Sequence, residues 1–66
     1  MYPKPVTLNV EEKTTLREFI ARLGEDTLYA YDRRVIGVVV NNMRKWDSAR
    51  LSPGDEVTIY PIIVGG

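Results

Sequence analysis

Apolar and polar residues alternate in two short stretches, one towards each end of the chain. Residues 6–10 read Val-Thr-Leu-Asn-Val, and residues 57–60 read Val-Thr-Ile-Tyr. A period of two places alternate side chains on opposite faces of an extended strand, and the apolar face is then buried. The pattern predicts a short strand early in the chain and a half-buried final strand.

Between these strands the period changes to that of a helix. Apolar residues occur at i, i+3, i+4 and i+7 over residues 16–23, which forms one stripe along an α-helix. Thr15 and Glu18 have the spacing of a capping box, and Gly24 stands where a helix commonly ends. One helix that covers a sheet is therefore predicted. Residues 25–34 show no clear period and are predicted to form a loop or a short turn.

The most apolar stretch opens the second half of the chain. Residues 35–40 predict a central strand that is covered on both faces, with a close approach or a bulge at Gly37. Residues 41–46 begin with two asparagines and predict a turn and a short returning strand. Residues 48–51 predict a single helical turn whose last residue points inward. Ser-Pro-Gly-Asp at 52–55 predicts a tight turn into the final strand.

Composition narrows the possible chemistry. The chain has 66 residues, no cysteine and no histidine, and nine basic residues balance nine acidic ones. A thiol nucleophile, a zinc–thiolate site and the usual general base are therefore excluded. No stretch fits a membrane span or a signal peptide. We expect one small cytoplasmic domain with no membrane partner and no bound metal or cofactor.

Basic residues gather in the second half of the chain beside its tryptophan. Trp46 is interpreted as a packing residue at the edge of the core, and the basic stretch as a face for an acidic partner protein or for solvent. Single-stranded nucleic acid is an alternative that we do not expect, in which bases would stack on the indole ring beside the cations. The basic residues are Arg33, Arg34, Arg44, Lys45 and Arg50.

The last eleven residues carry the candidate chemistry. Pro61 lacks an N–H group, so sheet pairing on that side should stop there. Residues 62–64 are apolar and need a partner surface if the fold does not bury them. Gly65 and Gly66 have no Cβ, so their backbone can enter a channel that is too narrow for a side chain. A frayed terminus that happens to end in glycine is the alternative interpretation.

Four blocks of the sequence carry a resemblance to a known family. They are Val38–Asn42, Leu51–Val57, Ile59–Pro61 and Gly65–Gly66, and their spacing makes the match specific. The chain resembles the ThiS/MoaD family of small sulfur carriers, which has a V-x-V-N turn, an L-x-x-G-D-x-V turn and a closing Gly-Gly. The resemblance implies an α+β fold, the ubiquitin-like β-grasp, with a mixed sheet of about four to five strands on one helix. Family members usually open with a hairpin, so we expect the first strand here to be short or missing. The place beside the final strand would then be open to a second copy or a partner.

The resemblance also implies roles for the end of a single domain that spans residues 1–66. An ATP-dependent adenylyltransferase of the ubiquitin-activating type would activate the carboxylate of Gly66. A cysteine desulfurase or rhodanese-like protein would supply sulfur, and a synthase would take it from the thiocarboxylate to make molybdopterin or thiamine. The chain is then a carrier and not an enzyme, with residues 62–66 as an exposed flexible tail. The other site residues are Gly65, Val64 and Ile63 for threading the tail, and Tyr60, Pro61 and Ile62 for docking a partner.

Other functions are compatible with the same residues. A ubiquitin-like modifier would be activated at Gly66 and then joined to lysine side chains. A β-grasp binding module for RNA or a regulatory partner would act without Gly66 and through the basic stretch. An independent enzyme has little support, since neither Tyr29 nor Tyr31 has a base near it in sequence. Asp47 and Asp55 are a conceivable acid–base pair, but Asp55 is better explained as a turn residue.

Overall fold

The computed structural model describes residues 4–62. Its elements are β1 (Val6–Asn9), β2 (Thr14–Thr15), α1 (Leu16–Arg22), α2 (Glu25–Asp32), β3 (Ile36–Val40), β4 (Met43–Arg44), β5 (Arg50–Leu51) and β6 (Glu56–Pro61). The main sheet has four strands in the order β1-β6-β3-β4, and β2 pairs with β5 in a second, two-stranded sheet. This arrangement confirms the predicted α+β class and is consistent with the ubiquitin-like β-grasp.

One hydrophobic core joins the helices to one face of the main sheet. Leu16 and Ile20 of α1 are fully buried, as are Val57 and Ile59 of β6. The residues that alternate with the buried pair in β6 are half-buried or exposed. Both the helical stripe and the alternation of the final strand are therefore confirmed. The other buried core residues are Val10, Ile36, Val38, Val40 and Leu51.

Local hydrogen bonds and one glycine determine where the helices begin and end. The backbone N–H of Glu18 donates to Thr15 Oγ1 at 3.2 Å, and the Thr15 hydroxyl donates to the Glu18 carboxylate at 3.0 Å. Gly24 has a φ of +133°, which residues with a side chain rarely adopt, so the chain can turn there from α1 into α2. The predicted helix is confirmed. The prediction for residues 25–34 was wrong, because residues 25–32 form a second helix.

The segment between β4 and β6 also differs from its prediction. Residues 48–51 do not form a helical turn, because Arg50–Leu51 is the strand β5 and pairs with Thr14–Thr15. Leu51 points inward as predicted and is 2% exposed. β4 ends at residue 44 and does not extend to residue 46. Local sequence does not reveal the β2–β5 pairing, since each strand has two residues and its partner lies far along the chain.

All pairings of the described strands are antiparallel, whereas a mixed sheet was expected. β1 pairs with β6 from Val6↔Ile59 to Asn9↔Glu56, so the place beside the final strand is occupied and not open. Along residues 4–62 no other strand precedes β1, and the usual opening hairpin is absent from this range. No helix in the same range is long and apolar enough to cross a membrane.

Candidate tail-exit site

The described part of the site is the end of β6, where the chain leaves the sheet. Tyr60 and Pro61 are half-buried there, and Ile62 is exposed. The predictions for Ile63, Val64, Gly65 and Gly66 fall outside the described residues. Their roles in threading and sulfur attachment therefore stay predictions.

Pro61 separates the two sides of β6. The N–H of Ile62 donates to the Val35 carbonyl at 2.9 Å, so pairing on the β3 side continues past the proline. On the β1 side the register ends at Val6 and Ile59. Backbone groups alternate in direction along an antiparallel strand, so the nitrogen of Pro61, which carries no hydrogen, faces the β1 side. The predicted end of pairing on that side is confirmed, and Ile62 is hydrogen-bonded to the sheet.

Tyr60 lies across Gly37 on the face of the sheet that points away from the core. The two residues are register partners in β6 and β3. A Cβ at position 37 would lie 2.3 Å from Tyr60 Cζ, so the ring occupies space that a side chain at position 37 would need. The predicted close approach at Gly37 is confirmed. The docking role of Tyr60 stays a prediction, although the glycine on the neighbouring strand explains how the ring is positioned.

Sequence reasoning did not identify the residues that surround Ile62. The N–H of its hydrogen-bond partner Val35 donates in turn to the carbonyl of Ala30 at 2.8 Å, which links the end of α2 to the segment that holds Ile62. Val35 is 40% exposed and Ile62 is 39% exposed. Both are apolar side chains in contact with solvent at the point where the tail begins. The available signal was that Val35 directly follows two arginines and therefore stands at a polar boundary.

The five basic residues considered for one face fall on three parts of the fold. The first two precede β3 beside Ile62, the next two lie in or directly after β4, and the last belongs to β5. They are, in that order, Arg33 and Arg34, Arg44 and Lys45, and Arg50. Arg44 pairs with Val39, which is roughly 14 Å along the strand from Val35. Trp46 is 85% exposed, so its interpretation as a packing residue was wrong.

The opposite end of β6 is closed by residues that carry the family resemblance. The Asn41 N–H donates to the Glu56 carbonyl at 2.7 Å, and the Glu56 N–H donates to Asn41 Oδ1 at 2.9 Å. Asp55 accepts from the Ser52 N–H at 2.8 Å and from Asn41 Nδ2 at 3.2 Å. These two bonds hold the pKa of the Asp55 carboxyl below its usual range, with the Ser52 amide as the larger cause. We call Asn41, Ser52, Asp55 and Glu56 the closed end; its motif residues tie two turns together.

The remaining polar groups considered for catalysis have structural partners. The Arg17 guanidinium donates to Asp32 at 2.9 and 3.0 Å and to Asp47 at 3.3 Å, which links α1, α2 and the loop before β5. The hydrogen bond from Arg17 lowers the pKa of Asp32. Burial, assisted by the negative Asp47 and Asp32, raises the pKa of Tyr31. Asp47 and Asp55 bind different partners, so nothing in the hydrogen bonding joins them as an acid–base pair. No cluster of acidic side chains suited to a metal ion occurs among residues 4–62.

The sheet order, the helices on one face and a final strand with a partly exposed end define a small ubiquitin-like β-grasp protein. Comparison with protein families finds a match to the ThiS family over residues 3–66. The chain belongs to the ThiS family, as the sequence blocks predicted. Neither curated proteins nor solved structures give a match. Membership supports a general role as a small sulfur carrier rather than a catalyst, which interacts with an activating enzyme and a synthase.

Proposed function

We propose that the chain carries sulfur as a thiocarboxylate on Gly66. The carboxylate would attack the α-phosphate of ATP on an activating enzyme, which releases pyrophosphate and leaves an acyl-adenylate. A persulfide sulfur would displace AMP, and a thiol would then cleave the resulting S–S bond to leave the thiocarboxylate. Membership of the ThiS family over residues 3–66, a range that includes Gly65 and Gly66, is the observation that carries this proposal.

In this mechanism the carrier itself needs no catalytic group. A carboxylate is a poor electrophile until one oxygen becomes part of a good leaving group, and the partner enzyme provides that activation with ATP. The carrier must deliver its terminal carbon to a buried centre. Four residues beyond Ile62 can extend by up to about 14 Å, and the final two glycines add no side-chain width. Gly66 can therefore reach beneath a partner's surface while the sheet stays outside.

The end of β6 supplies the docking groups in this proposal. Tyr60 presents a ring that rests on Gly37, and Ile62 presents an exposed apolar side chain held by its hydrogen bond to Val35. Pro61 keeps the β1 side of the strand unpaired. The Tyr60-Pro61 pair resembles the molybdopterin branch of the family more than the thiamine branch. We therefore propose a cytoplasmic carrier for the synthesis of molybdopterin or, as the second candidate pathway, thiamine.

Intact-mass measurement of protein purified from its own cells tests the proposal. We expect a fraction that is heavier by the difference between one sulfur and one oxygen atom, and fragmentation should localise this difference to Gly66. The Gly66→Ala variant keeps the length and the carboxylate but adds a methyl group, whereas deletion of Gly66 shortens the tail. Both variants should lose the heavier species.

Two outcomes would contradict the proposal in different ways. An unmodified carboxylate after incubation with ATP, a matched activating enzyme and a sulfur donor would exclude sulfur carriage. Conjugates that join Gly66 to lysines of other proteins, without any thiocarboxylate, would identify a modifier instead. Full sulfur loading of Gly66→Ala would remove the narrow-channel argument and leave the carrier role intact.

A further inference from the structure

Two exposed apolar residues, Val35 and Ile62, are joined by a backbone hydrogen bond where β6 ends, and the last turn of α2 is bonded to the same segment. Tyr29, Val35 and Ile62 are 63%, 40% and 39% exposed, and they are three of the five large apolar residues with high exposure among residues 4–62. Backbone hydrogen bonds connect their positions, from Ile62 to Val35 and from Val35 to Ala30 in the last turn of α2. Large exposed apolar groups that lie together mark interaction surfaces more often than isolated ones do.

Two arginines lie within this group without an acidic partner. Ion pairs among residues 4–62 involve Arg17 and Arg22, and neither Arg33 nor Arg34 takes part in one. The Arg33 guanidinium instead lies 5.2 Å from the centre of the Tyr29 ring. Both cations are therefore available to a partner. We call Tyr29, Arg33, Arg34, Val35 and Ile62 the tail-exit surface.

The backbone of Arg34 provides an independent reason to expect a function. α2 ends in a Schellman motif, in which the Arg34 N–H donates to Tyr31 at 3.1 Å and the Val35 N–H donates to Ala30 at 2.8 Å. This motif requires positive φ at the position after the helix cap, where glycine is usual. Arg34 occupies it with a φ of +61°. A residue that holds an unfavourable backbone conformation in place of glycine is a candidate for a role outside the fold.

We infer that the tail-exit surface is the docking site for the enzyme that adenylates Gly66, and that this enzyme surrounds its tail channel with carboxylates. The inference rests on the proposed function. An enzyme that takes Gly66 must approach to within about 14 Å of Ile62, so it covers the residues around the exit. Charge complementarity then selects an acidic rim for Arg33 and Arg34. Val35 and Ile62 supply apolar contact area at the end of β6, and the Tyr29 ring supplies it beside Arg33.

Charge removal at matched positions tests the inference. The variants are Arg33→Gln with Arg34→Gln, and as a control Arg44→Gln with Lys45→Gln, which removes the same charge near the other end of β3. Adenylation is followed by ATP–pyrophosphate exchange with the activating enzyme at several salt concentrations. We expect KM to rise about tenfold for the first pair with kcat little changed, and we expect the salt dependence of KM to weaken. The control pair should stay within about twofold of the parent protein.

The Arg34→Gly variant separates docking from folding. Glycine suits positive φ, so the denaturation midpoint should rise, while KM for adenylation should also rise. A purely structural role for Arg34 would leave KM unchanged and would overturn the inference. Equal effects of the two charge pairs would overturn it as well, and an effect confined to the sulfur-accepting synthase would assign the surface to that partner instead. Failure of the parent protein to be adenylated would refute the proposed function, and the docking inference with it.

Discussion

The two ends of β6 are built in opposite ways. At the closed end, backbone and side-chain hydrogen bonds of 2.7 to 3.2 Å join Asn41, Ser52, Asp55 and Glu56. At the other end, one backbone bond holds Ile62, and the side chains around it face solvent. The strand is therefore fixed at its entry and is exposed to solvent at its exit.

Because of this difference, the residues that form recognisable sequence motifs are not the residues whose side chains are accessible to a partner. The V-x-V-N and L-x-x-G-D motifs are the easiest parts of the family pattern to detect, and they belong to the closed end. Their polar groups satisfy one another and leave little for a partner to bind. The tail-exit surface has no comparable motif, because its exposed side chains are not required by the fold and would be selected only by the partner that we infer.

Asn41→Ala should give the largest loss of stability among the changes proposed for the two ends. The variant removes the acceptor for the Glu56 amide, worth about 1 kcal/mol, and forces alanine into positive φ at a cost of about 1 kcal/mol or more. Asn41 has a φ of +51°. The free energy of unfolding should therefore fall by about 2 kcal/mol, measured by urea denaturation with circular dichroism.

Asn41→Gly is the matched control for this prediction. Glycine keeps the backbone conformation and loses the side-chain bonds, so it should be destabilised by about half as much. Adenylation of either variant should be unaffected at temperatures where the protein is folded. A loss of activity in folded Asn41→Gly would show that the closed end also contacts the partner.

Gly37→Ala should destabilise the protein less and act on the exit end. The new Cβ would lie 2.3 Å from Tyr60 Cζ, so the ring must move off the strand. Displacement of a packed side chain typically costs about 1 kcal/mol. The same change in a Tyr60→Ala background has no ring to displace, so a double-mutant cycle in urea denaturation should show the cost disappearing. Additive effects would mean that the ring leaves position 37 easily.

An element of this fold could be predicted from the sequence when its hydrophobic pattern was long enough to be recognised. α1 has a full apolar stripe and a capping box, and β6 has strict alternation, so both were predicted correctly. α2 has no fully buried residue, and the apolar residues Leu28, Ala30 and Tyr31, which pack against the core, are too few to give a clear helical period in the sequence. It is held by this packing against the core, by the Schellman bonds and by the partly exposed Arg17–Asp32 ion pair. Contacts made in the folded chain, rather than local preference, determine its conformation.

The candidate site was predictable along β6 and unpredictable across the sheet. Tyr60 and Pro61 end β6 and Ile62 follows them directly, so the sequence itself places the three residues together. Arg33 and Arg34 reach the same end through the Val35–Ile62 hydrogen bond. Because Arg33 and Arg34 stand near Arg44 and Lys45 in the sequence, sequence analysis placed them in one basic stretch. The fold separates the two pairs, since Arg44 pairs with Val39 near the other end of β3.

The Asp55 carboxyl of the closed end should make the free energy of unfolding depend on pH. The folded-state pKa of Asp55 lies below its unfolded value of about 3.9 because it accepts hydrogen bonds from Ser52 and Asn41. Its stabilising contribution is thus present above about pH 4 and is lost as the pH falls through the folded-state pKa. Asp55→Asn should flatten the decline of unfolding free energy below about pH 4.

Asp32→Asn is a useful comparison for the acid titration. The Asp32 pKa is lowered by Arg17, in a different part of the fold, so its removal should flatten the same pH range independently. The two changes should combine additively, because they share no partner. An unchanged acid profile in Asp55→Asn would mean that the Ser52 and Asn41 bonds do not favour the charged carboxylate.

Trp46→Ala should have the smallest effect, and it tests whether the chain has a second functional surface. The indole is 85% exposed, so its removal should change stability by no more than about 0.5 kcal/mol. The backbone bond from the Ala49 N–H to the Trp46 carbonyl, at 3.0 Å, is retained in the variant. Adenylation and sulfur loading should match those of the parent protein.

A second experiment uses the parent protein, which keeps Trp46. Binding of a single-stranded oligouridine is measured through quenching of Trp46 fluorescence, and we expect no quenching. Salt-sensitive quenching that is weakened by Arg44→Gln with Lys45→Gln would instead indicate base stacking beside two cations. The chain would then have a second surface for partners besides the one inferred at the end of β6, and the contrast between a structural end and a functional end would fail.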